Sequence, residues 1–465
     1  MIDSSLQGTR PYTRLEAARQ VSEALQNVSQ IDTPLAIRQL LDQLESVLQD
    51  QLVELGALEG IAPASYLKPV RELQLKYIYQ DGEPSSFPGT NASQFALNYN
   101  NYGIDYANHH NGQLIFSSEA RLGSFILLEA RPILEARGDG VNTLRLLQGR
   151  AALGLGPVEI SFGRQSLWWG QGRHGSLVLT DNARPLDMVR ITNPSPILLP
   201  WVLKYLGPFR FDVFWSRLKD NRVVPHPYFA GLRLTVKPLP WLELGGSRTV
   251  IFGGKGRPDV GFSDFITILG GRNLSGDADD SDQLAALDFL LRFSYLWGAE
   301  LYGEWGGEDE AGGFFSNMAY TGGIYLPRLD PSERLSLRFE YADLSHIDDN
   351  SPPWYHHGIY RSGYTYEGKI LGHPAGGTSR DAYGELRALL PDGVTASLAL
   401  DYQSRGSNQP VKEKHLQPAL GLDWQLRGDL MVSARYSVDV VENFGYAHGV
   451  RQTSHLGELG LRTTW

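Results

Sequence analysis

The sequence predicts an all-β chain: a transmembrane antiparallel β-barrel of about eighteen strands preceded by a short α-helical segment. Three observations carry the prediction. Apolar residues recur with period two over most of the chain. Read back from the C-terminus, short connections alternate with mostly longer ones. The final residues Leu459, Leu461, Thr463 and Trp465 form a single stripe that ends on an aromatic. No run of about 18 apolar residues is present, so no transmembrane helix is available. The most apolar stretch, from Pro196 to Phe209, is broken by Pro200, Lys204 and Gly207.

The first sixty residues have a helical period. Thr13-Arg14-Leu15-Glu16 is a capping box, and Leu15, Ala18, Val21, Leu25 and Val28 make one stripe. A second helix is predicted from Thr33-Pro34, with Thr as N-cap and Pro in the first turn. Its stripe is Ile37, Leu41, Leu44, Leu48, Leu52 and Leu55, closed by Gly56 in the left-handed region. Each helix has one apolar face, so the pair must dock on each other and on something else.

The period changes to two after about residue 90. Phe95, Leu97 and Tyr99 alternate with polar neighbours, as do Leu114 to Arg121, Phe209 to Ser216, Leu335 to Tyr341, Val394 to Tyr402 and Leu430 to Val438. Short turns are predicted near Gly123, Gly156, Gly207, Pro238, Gly298, Pro331, Pro391 and Gly428, with longer polar loops such as 251–282 and 345–380 interleaved. A soluble sandwich also alternates, but it has no reason to sort its loops by length. The division expected is a helical segment over 1–60, a linker with a possible extra strand over 61–91 and the barrel over 92–465. On that count the stripe Leu73, Leu75, Tyr77, Tyr79 falls before the barrel, and its first strand is about Ala92 to Asn100.

Composition narrows the function. The 22 Tyr, 10 Trp and 51 Gly suit short strands with aromatic ends and tight turns. Cysteine is absent, which removes disulfides, thiolate metal sites and a Cys nucleophile. A net charge of -10 and the lack of a basic tract argue against nucleic acid as a partner. The opening Met1-Ile2-Asp3 has no charged n-region or apolar h-region, as expected of a mature exported chain with its signal peptide removed. Alternate inner stripes carry opposite charges, for example Glu129 and Arg131, Arg210 and Asp212, and Arg338 and Glu340. Pairing between neighbouring strands is the simplest account.

One segment is dense in special residues: Phe162-Gly163-Arg164-Gln165-Ser166-Leu167-Trp168-Trp169-Gly170-Gln171-Gly172-Arg173, then Asn182-Ala183-Arg184-Pro185. Trp168 and Trp169 offer flat faces for stacking on sugar rings, and Arg164, Arg173 and Arg184 offer bidentate contacts to carboxylates. Gly170 and Gly172 permit turns that fold the segment inward. A tryptophan at a strand end also suits an interface belt. A second cluster, Gly245 to Arg248 and Phe252 to Pro258, is superficially like a phosphate loop. It lacks a following helix and the Walker lysine order, and reads as a strand running into a tight outer loop.

These two runs together resemble the Wzi-type capsule assembly family: Gly163-Arg164, Trp168-Trp169-Gly170-x-Gly172, Asn182-x-Arg184-Pro185, then Ser247-Arg248 and Phe252-Gly253-Gly254-x-Gly256-Arg257-Pro258. The resemblance implies a barrel in the bacterial outer membrane with a periplasmic helical part, acting as a lectin that helps hold capsular polysaccharide on the cell. The expected glycan-binding set is Arg164, Trp168, Trp169, Gln171, Arg173, Asn182, Arg184, Arg248, Lys255 and Arg257. The partners expected are a surface polysaccharide and membrane lipid, with the chain a monomer, no cofactor, no metal and no catalytic residues.

A sugar channel and an outer-membrane hydrolase stand as alternatives. His174 and Ser176 invite the latter, without a defined acid or nucleophile elbow. Asp277, Asp279, Asp280 and Asp282 lack the ordered spacing of a calcium loop. The pairs His109-His110 and His356-His357 are adjacent, not spaced for a helical metal site, and read as loop residues.

Overall fold

The computed structural model describes residues 2–28, 35–61, 64–219, 221–258, 281–308, 317–346 and 353–465. Its body is a closed antiparallel barrel of 18 strands. The first five are β1 (Tyr66–Asp81), β2 (His109–Leu122), β3 (Ile126–Arg137), β4 (Asn142–Leu155) and β5 (Val158–Gln165). They are followed by β6 (Leu186–Thr192), β7 (Pro208–Arg217), β8 (Tyr228–Leu239), β9 (Leu242–Phe252), β10 (Asp282–Phe293), β11 (Ala299–Glu308) and β12 (Ala319–Leu326). The wall continues through β13 (Leu335–Asp343), β14 (Arg380–Leu390), β15 (Val394–Arg405), β16 (Glu413–Arg427), β17 (Leu430–Glu442) and β18 (Arg451–Thr464).

Closure joins β18 to β1. Thr463, Leu461 and Leu459 stand opposite Leu73, Leu75 and Tyr77, and the Trp465 amide donates to the Arg71 carbonyl at 2.8 Å. The stripe Leu73 to Tyr79 therefore belongs to the barrel, which begins at Tyr66 and not at Ala92. Its irregular start, with Pro69 and a register shift between Lys68 and Glu72 against β2, weakens the sequence pattern.

Residues 92–100, expected as the first strand, lie inside the lumen instead. There only Ser93–Gln94 pairs, with Ser85–Ser86. Phe95 and Leu97 pack with Ile104 and Tyr106 against inward-facing Ile78, Ile115, Ile133, Leu147 and Leu456 of the wall. Alternation marks an apolar face, but it does not say whether lipid or an interior cluster covers that face. His109 and His110 likewise open strand β2 and are not loop residues.

Outward positions form an apolar belt. On β16, Leu416, Leu420, Leu422 and Trp424 face out, while Glu413, His415 and Gln417 are buried on the lumen side. Exposed Tyr320, Tyr341 and Tyr402 mark the long-loop end, and Trp201, Trp241, Trp297, Trp424 and Trp465 the short-turn end. Two aromatic girdles around an apolar band are what a bilayer imposes. Leu420→Arg, at a position 60% exposed in the band, is expected to cost about 2–4 kcal/mol if it lies near the bilayer midplane. Urea unfolding of vesicle-embedded protein checks this, with lumen-side Ala419→Ser as the near-neutral control.

Helices α1 (Arg14–Val28), α2 (Leu35–Val47) and α3 (Gln49–Glu54) sit at the short-turn end. The Glu16 amide donates to Thr13 Oγ1 at 3.2 Å, so the first half of the expected capping box forms. The second predicted helix is interrupted at Leu48, and Gly56 adopts φ +70°. Its Thr33-Pro34 start lies outside the described residues. Ala18, Val21, Leu48 and Leu52 make a small core between the helices. Lys68–Asp50 at 2.9 Å and the bidentate Arg121–Glu54 pair bind this bundle to the rim.

Candidate functional site

Two segments enter the lumen and meet. Residues 2–12 run in from the helical end, and residues 166–185 fold in between β5 and β6. Thr9–Arg10 pairs with Trp168–Trp169 as a two-stranded ribbon, and the Gly170 amide donates to the Gly8 carbonyl at 2.9 Å. Gly170 has φ +131°, and a Cβ on Gly172 would sit 1.9 Å from the Gly175 carbonyl oxygen, so the bend needs both glycines. The inward fold expected from these two glycines is present.

Carboxylates of the wall hold the plug by its main chain. Glu304 accepts from the Gly172 and Leu177 amides, each at 3.0 Å, and from Ser176 Oγ at 2.9 Å. Glu340 accepts from the Arg173 and His174 amides at 2.8 and 2.9 Å and from the Tyr302 hydroxyl at 2.6 Å. Glu243 takes the Gln7 and Gly8 amides, at 2.8 and 2.9 Å, and Gln171 Nε2 at 3.0 Å. Charge-assisted bonds of this kind satisfy amides that a strand or helix would otherwise pair. A deeper ion pair, Arg233 with Asp288 at 2.7 and 2.9 Å, anchors the same region through Thr9 Oγ1 and Gln171 Nε2.

An apolar core covers the plug toward the long-loop end. Leu177, Val178 and Leu179 pack with Trp354, Tyr355, Tyr364, Ile370 and Leu371 from the long connection after β13, and with Phe229, Ile251 and Ala286 of the wall. The Tyr355 amide donates to Glu308, another wall carboxylate, at 2.7 Å. The wall charges themselves pair between neighbouring strands: Arg190–Asp212 at 2.6 Å, Arg150 with Glu129 at 2.5 Å and Glu159 at 2.6 Å, and Arg292–Glu300 at 2.9 Å. The pairing expected between neighbouring strands thus holds for Glu129 and Asp212, whereas Arg338 pairs with Glu340 within its own strand at 3.7 Å and Arg210 Nη1 donates to the Thr9 carbonyl at 3.3 Å.

The expected glycan-binding residues divide sharply. Trp168 and Trp169 are 5% and 0% exposed, so neither ring is at the surface. Trp168 lies under the Arg10 guanidinium, 4.5 Å from its ring centroid, and donates Nε1–H to the Gly172 carbonyl at 3.1 Å. Trp169 packs on Phe214, with Nε1–H directed at Asp212. Gln171 and Asn182 are also buried, the latter donating to Gln94 Oε1 and the Ile370 carbonyl. The stacking role read from the Trp pair is thus corrected to a plug role: both rings are packed inside and both N–H groups are already used by the protein.

The cations are placed differently. Arg164 faces outward on β5 in a bidentate pair with Asp187, at 2.8 Å on each arm. Arg173 is exposed, with Nη2 donating to Gln7 Oε1, and Arg184 pairs with Glu367 at 2.7 Å. Arg248 points outward on β9 and reaches Gln283, whereas Lys255 is exposed and Arg257 half-buried in the loop after β9. His174 and Ser176 bond to different partners, the imidazole to Asp381 and Asp401 and the hydroxyl to Glu304 and the Trp169 carbonyl. The described residues therefore do not join them as base and nucleophile. Of the acidic run, Asp277, Asp279 and Asp280 lie outside the described residues, and Asp282 is buried at the start of β10.

Two features of the long-loop end are assembled from several loops. Three loops are tied together there: the Lys255 amide donates to the Pro225 carbonyl at 2.8 Å, Arg222 Nη2 to the Gly363 carbonyl at 2.9 Å, and the Tyr360 hydroxyl to the Gly253 carbonyl at 3.0 Å. Exposed Arg217, Lys219, Lys255 and Arg361, with Arg257, occupy this joined surface. Burial, helped by Arg257, pushes His357 down to about 4, so it is neutral at physiological pH. A separate polar pocket of about 270 Å³ is lined among others by Glu83, Phe95, Asn98, Asp105, Tyr106 and Asn108. Lys369 Nζ pairs with Asp105 in its wall at 2.6 Å. The motif from Phe252 to Pro258 marks one loop of the cationic surface, through Lys255 and Arg257, but the joining of the three loops and the pocket have no local signal because they are assembled from segments far apart in sequence.

The belt, the girdles and the segments folded into the lumen define an outer-membrane β-barrel that carries part of its own chain as a plug. Residues 80–456 match the family model for the capsule assembly protein Wzi. The chain belongs to the Wzi capsule assembly family. Among solved structures, Wzi of Escherichia coli, described as a carbohydrate-binding β-barrel involved in group 1 capsule assembly, superposes with a TM-score of 0.73 at 20% identity, over 100% of this chain and 95% of that one. OccK5 of Pseudomonas aeruginosa shares the barrel at a TM-score of 0.50 and 10% identity, over 86% and 97%. An uncharacterised 55.8 kDa protein in the cps region of Klebsiella pneumoniae is 35% identical over 170 residues, which is 36% of this chain and 33% of that relative's length.

Proposed function

We propose that this chain is a non-enzymatic lectin of the outer membrane that holds capsular or other acidic surface polysaccharide at its long-loop end, as a monomer with the helices in the periplasm. The observation that carries the reading is the doubly filled lumen, in which residues 2–12 and 166–185 meet as a ribbon gripped by Glu243, Glu304 and Glu340. A barrel closed in this way presents its outer surface, and not a path, to a polymer. Arg217, Lys255, Arg257 and Arg361 supply cations for carboxylates, and the pocket beside Tyr106 is large enough for a sugar unit. Membership of a capsule assembly family and the carbohydrate-binding description of Escherichia coli Wzi agree with it.

Deleting the gene in an encapsulated host is expected to release polysaccharide into the medium, and normal surface retention in the deletion would sink the proposal. Purified protein in a planar bilayer is expected to show no steady conductance; stable single-channel steps would favour the channel reading. Binding should weaken as salt rises and stay flat from about pH 5 to about pH 8. His357, held near 4, remains neutral over that window.

A further inference from the structure

The geometry points to a divalent transition-metal site where the plug meets the wall, built from His174, Asp381 and Asp401. We propose that an ion of the zinc class bound there cross-links residues 166–185 to strands β14 and β15. His174 Nε2 lies 3.3 Å from Asp381 Oδ2 and 3.2 Å from Asp401 Oδ2, and the three candidate ligand atoms are all within 4.8 Å of one another. Two ligands each about 2.1 Å from one tetrahedral zinc ion stand about 3.4 Å apart, so the Nε2 separations of 3.3 and 3.2 Å fit with little adjustment.

The placement follows from the fold. Asp381 is opposite Gln403 and Tyr383 is opposite Asp401, so the two aspartates are diagonal neighbours on the lumen face of adjacent strands. Glu340 fixes the third ligand by accepting the Arg173 and His174 amides. The imidazole is held flat on Tyr383, with centroids 4.1 Å apart and planes 8° apart, and edge-on to Tyr99. One nitrogen thus faces two carboxylates, at side chains only 2–3% exposed.

A second observation singles out a ligand. Asp401 Oδ1 is buried and accepts no hydrogen bond from a donor among the described residues, while its Oδ2 accepts from Gln403 Nε2 at 2.7 Å. A dication with a neutral imidazole balances the two carboxylates and gives the orphan oxygen a partner. A lumen cavity of about 370 Å³, lined in part by Asp401, Tyr99 and Tyr383, provides room for water as a further ligand. The sequence conceals the set, since Asp381 lies 207 positions after His174.

The test uses the folded full-length protein without a histidine tag, stripped with chelator and then titrated with zinc by calorimetry and metal analysis. The chain has no cysteine, which removes the commonest source of adventitious zinc binding. Wild type is expected to retain about one zinc per chain, and His174→Gln and Asp401→Asn to lose it while keeping heat-modifiable gel mobility. Zinc should also raise the temperature at which the wild-type band shifts, and leave that of His174→Gln unchanged. Folded wild type that stays metal-free after exposure to zinc and manganese, or a His174→Gln chain that binds as much zinc as wild type, would overturn the proposal. Should the variants fail to fold, the wild-type stoichiometry alone decides.

Discussion

Trp169→Ala is expected to destabilise the barrel by about 3–5 kcal/mol, among the largest costs of any single truncation in the chain. The ring is fully buried, packs on Phe214 and fills the space above Gly231, where an added Cβ would lie 2.9 Å from its carbons. Its removal leaves a cavity at the crossing of plug and wall, in a ribbon of only two residue pairs. Asp212 retains Arg190, so no buried charge is orphaned and the cost is chiefly one of packing. The midpoint of urea unfolding, followed by heat-modifiable mobility, checks the value. A variant as stable as wild type would remove Trp169 from the plug. A polysaccharide pull-down on a Trp168→Ala, Trp169→Ala chain would consequently report loss of the plug before it reported loss of a sugar contact.

Arg233→Ala is expected to cost a similar amount, about 3–5 kcal/mol, for a different reason. The guanidinium is 1% exposed and meets both Asp288 oxygens, Ser247 Oγ and Thr9 Oγ1. Truncation leaves Asp288 buried with only the Gln171 amide group as a polar partner among the bonds described. Asp288→Leu placed together with Arg233→Met should recover most of the loss, because an apolar pair of similar volume removes the unpaired charge. A double-mutant cycle on unfolding free energy reads this directly. Equal losses in the single and double variants would mean that packing around Arg233, and not the charge, sets its contribution.

The difference between what the sequence revealed and what it hid is physical. Local signals survived: the alternation of β16, the short turns, the Thr13 cap and the left-handed Gly56 were all legible from neighbouring residues. The strand count was met, but with Phe95 to Tyr99 standing in for Leu73 to Tyr79. Both stripes alternate, and only the partner surface distinguishes them. A usable signal did exist. Inward positions Ile78, Ile115, Ile133, Leu147 and Leu456 are apolar where a water-filled lumen would need polar groups, and so imply that something folds inside.

The site residues were harder to read. The density of special residues around Trp168-Trp169 does mark a special segment, but the features that suit a sugar face also suit a tight interior turn. Its true partners, Asp212 and Glu304, are 43 and over a hundred positions away. The cationic surface is built by loops joined through Arg222, Lys255 and Tyr360, contacts without any sequence period.

The most direct test of the account measures host capsular polysaccharide binding to nanodisc-embedded protein, comparing wild type with Arg217→Glu, Lys255→Glu, Arg257→Glu and Arg361→Glu combined. These side chains lie outside the plug, so the barrel should fold and shift normally on heating. Wild type is expected to bind in a salt-sensitive manner and the charge-reversed chain to lose about tenfold or more in affinity, or about 1.4 kcal/mol. Unchanged binding by a folded charge-reversed chain, or no binding by wild type, would contradict a polysaccharide-holding surface at the long-loop end.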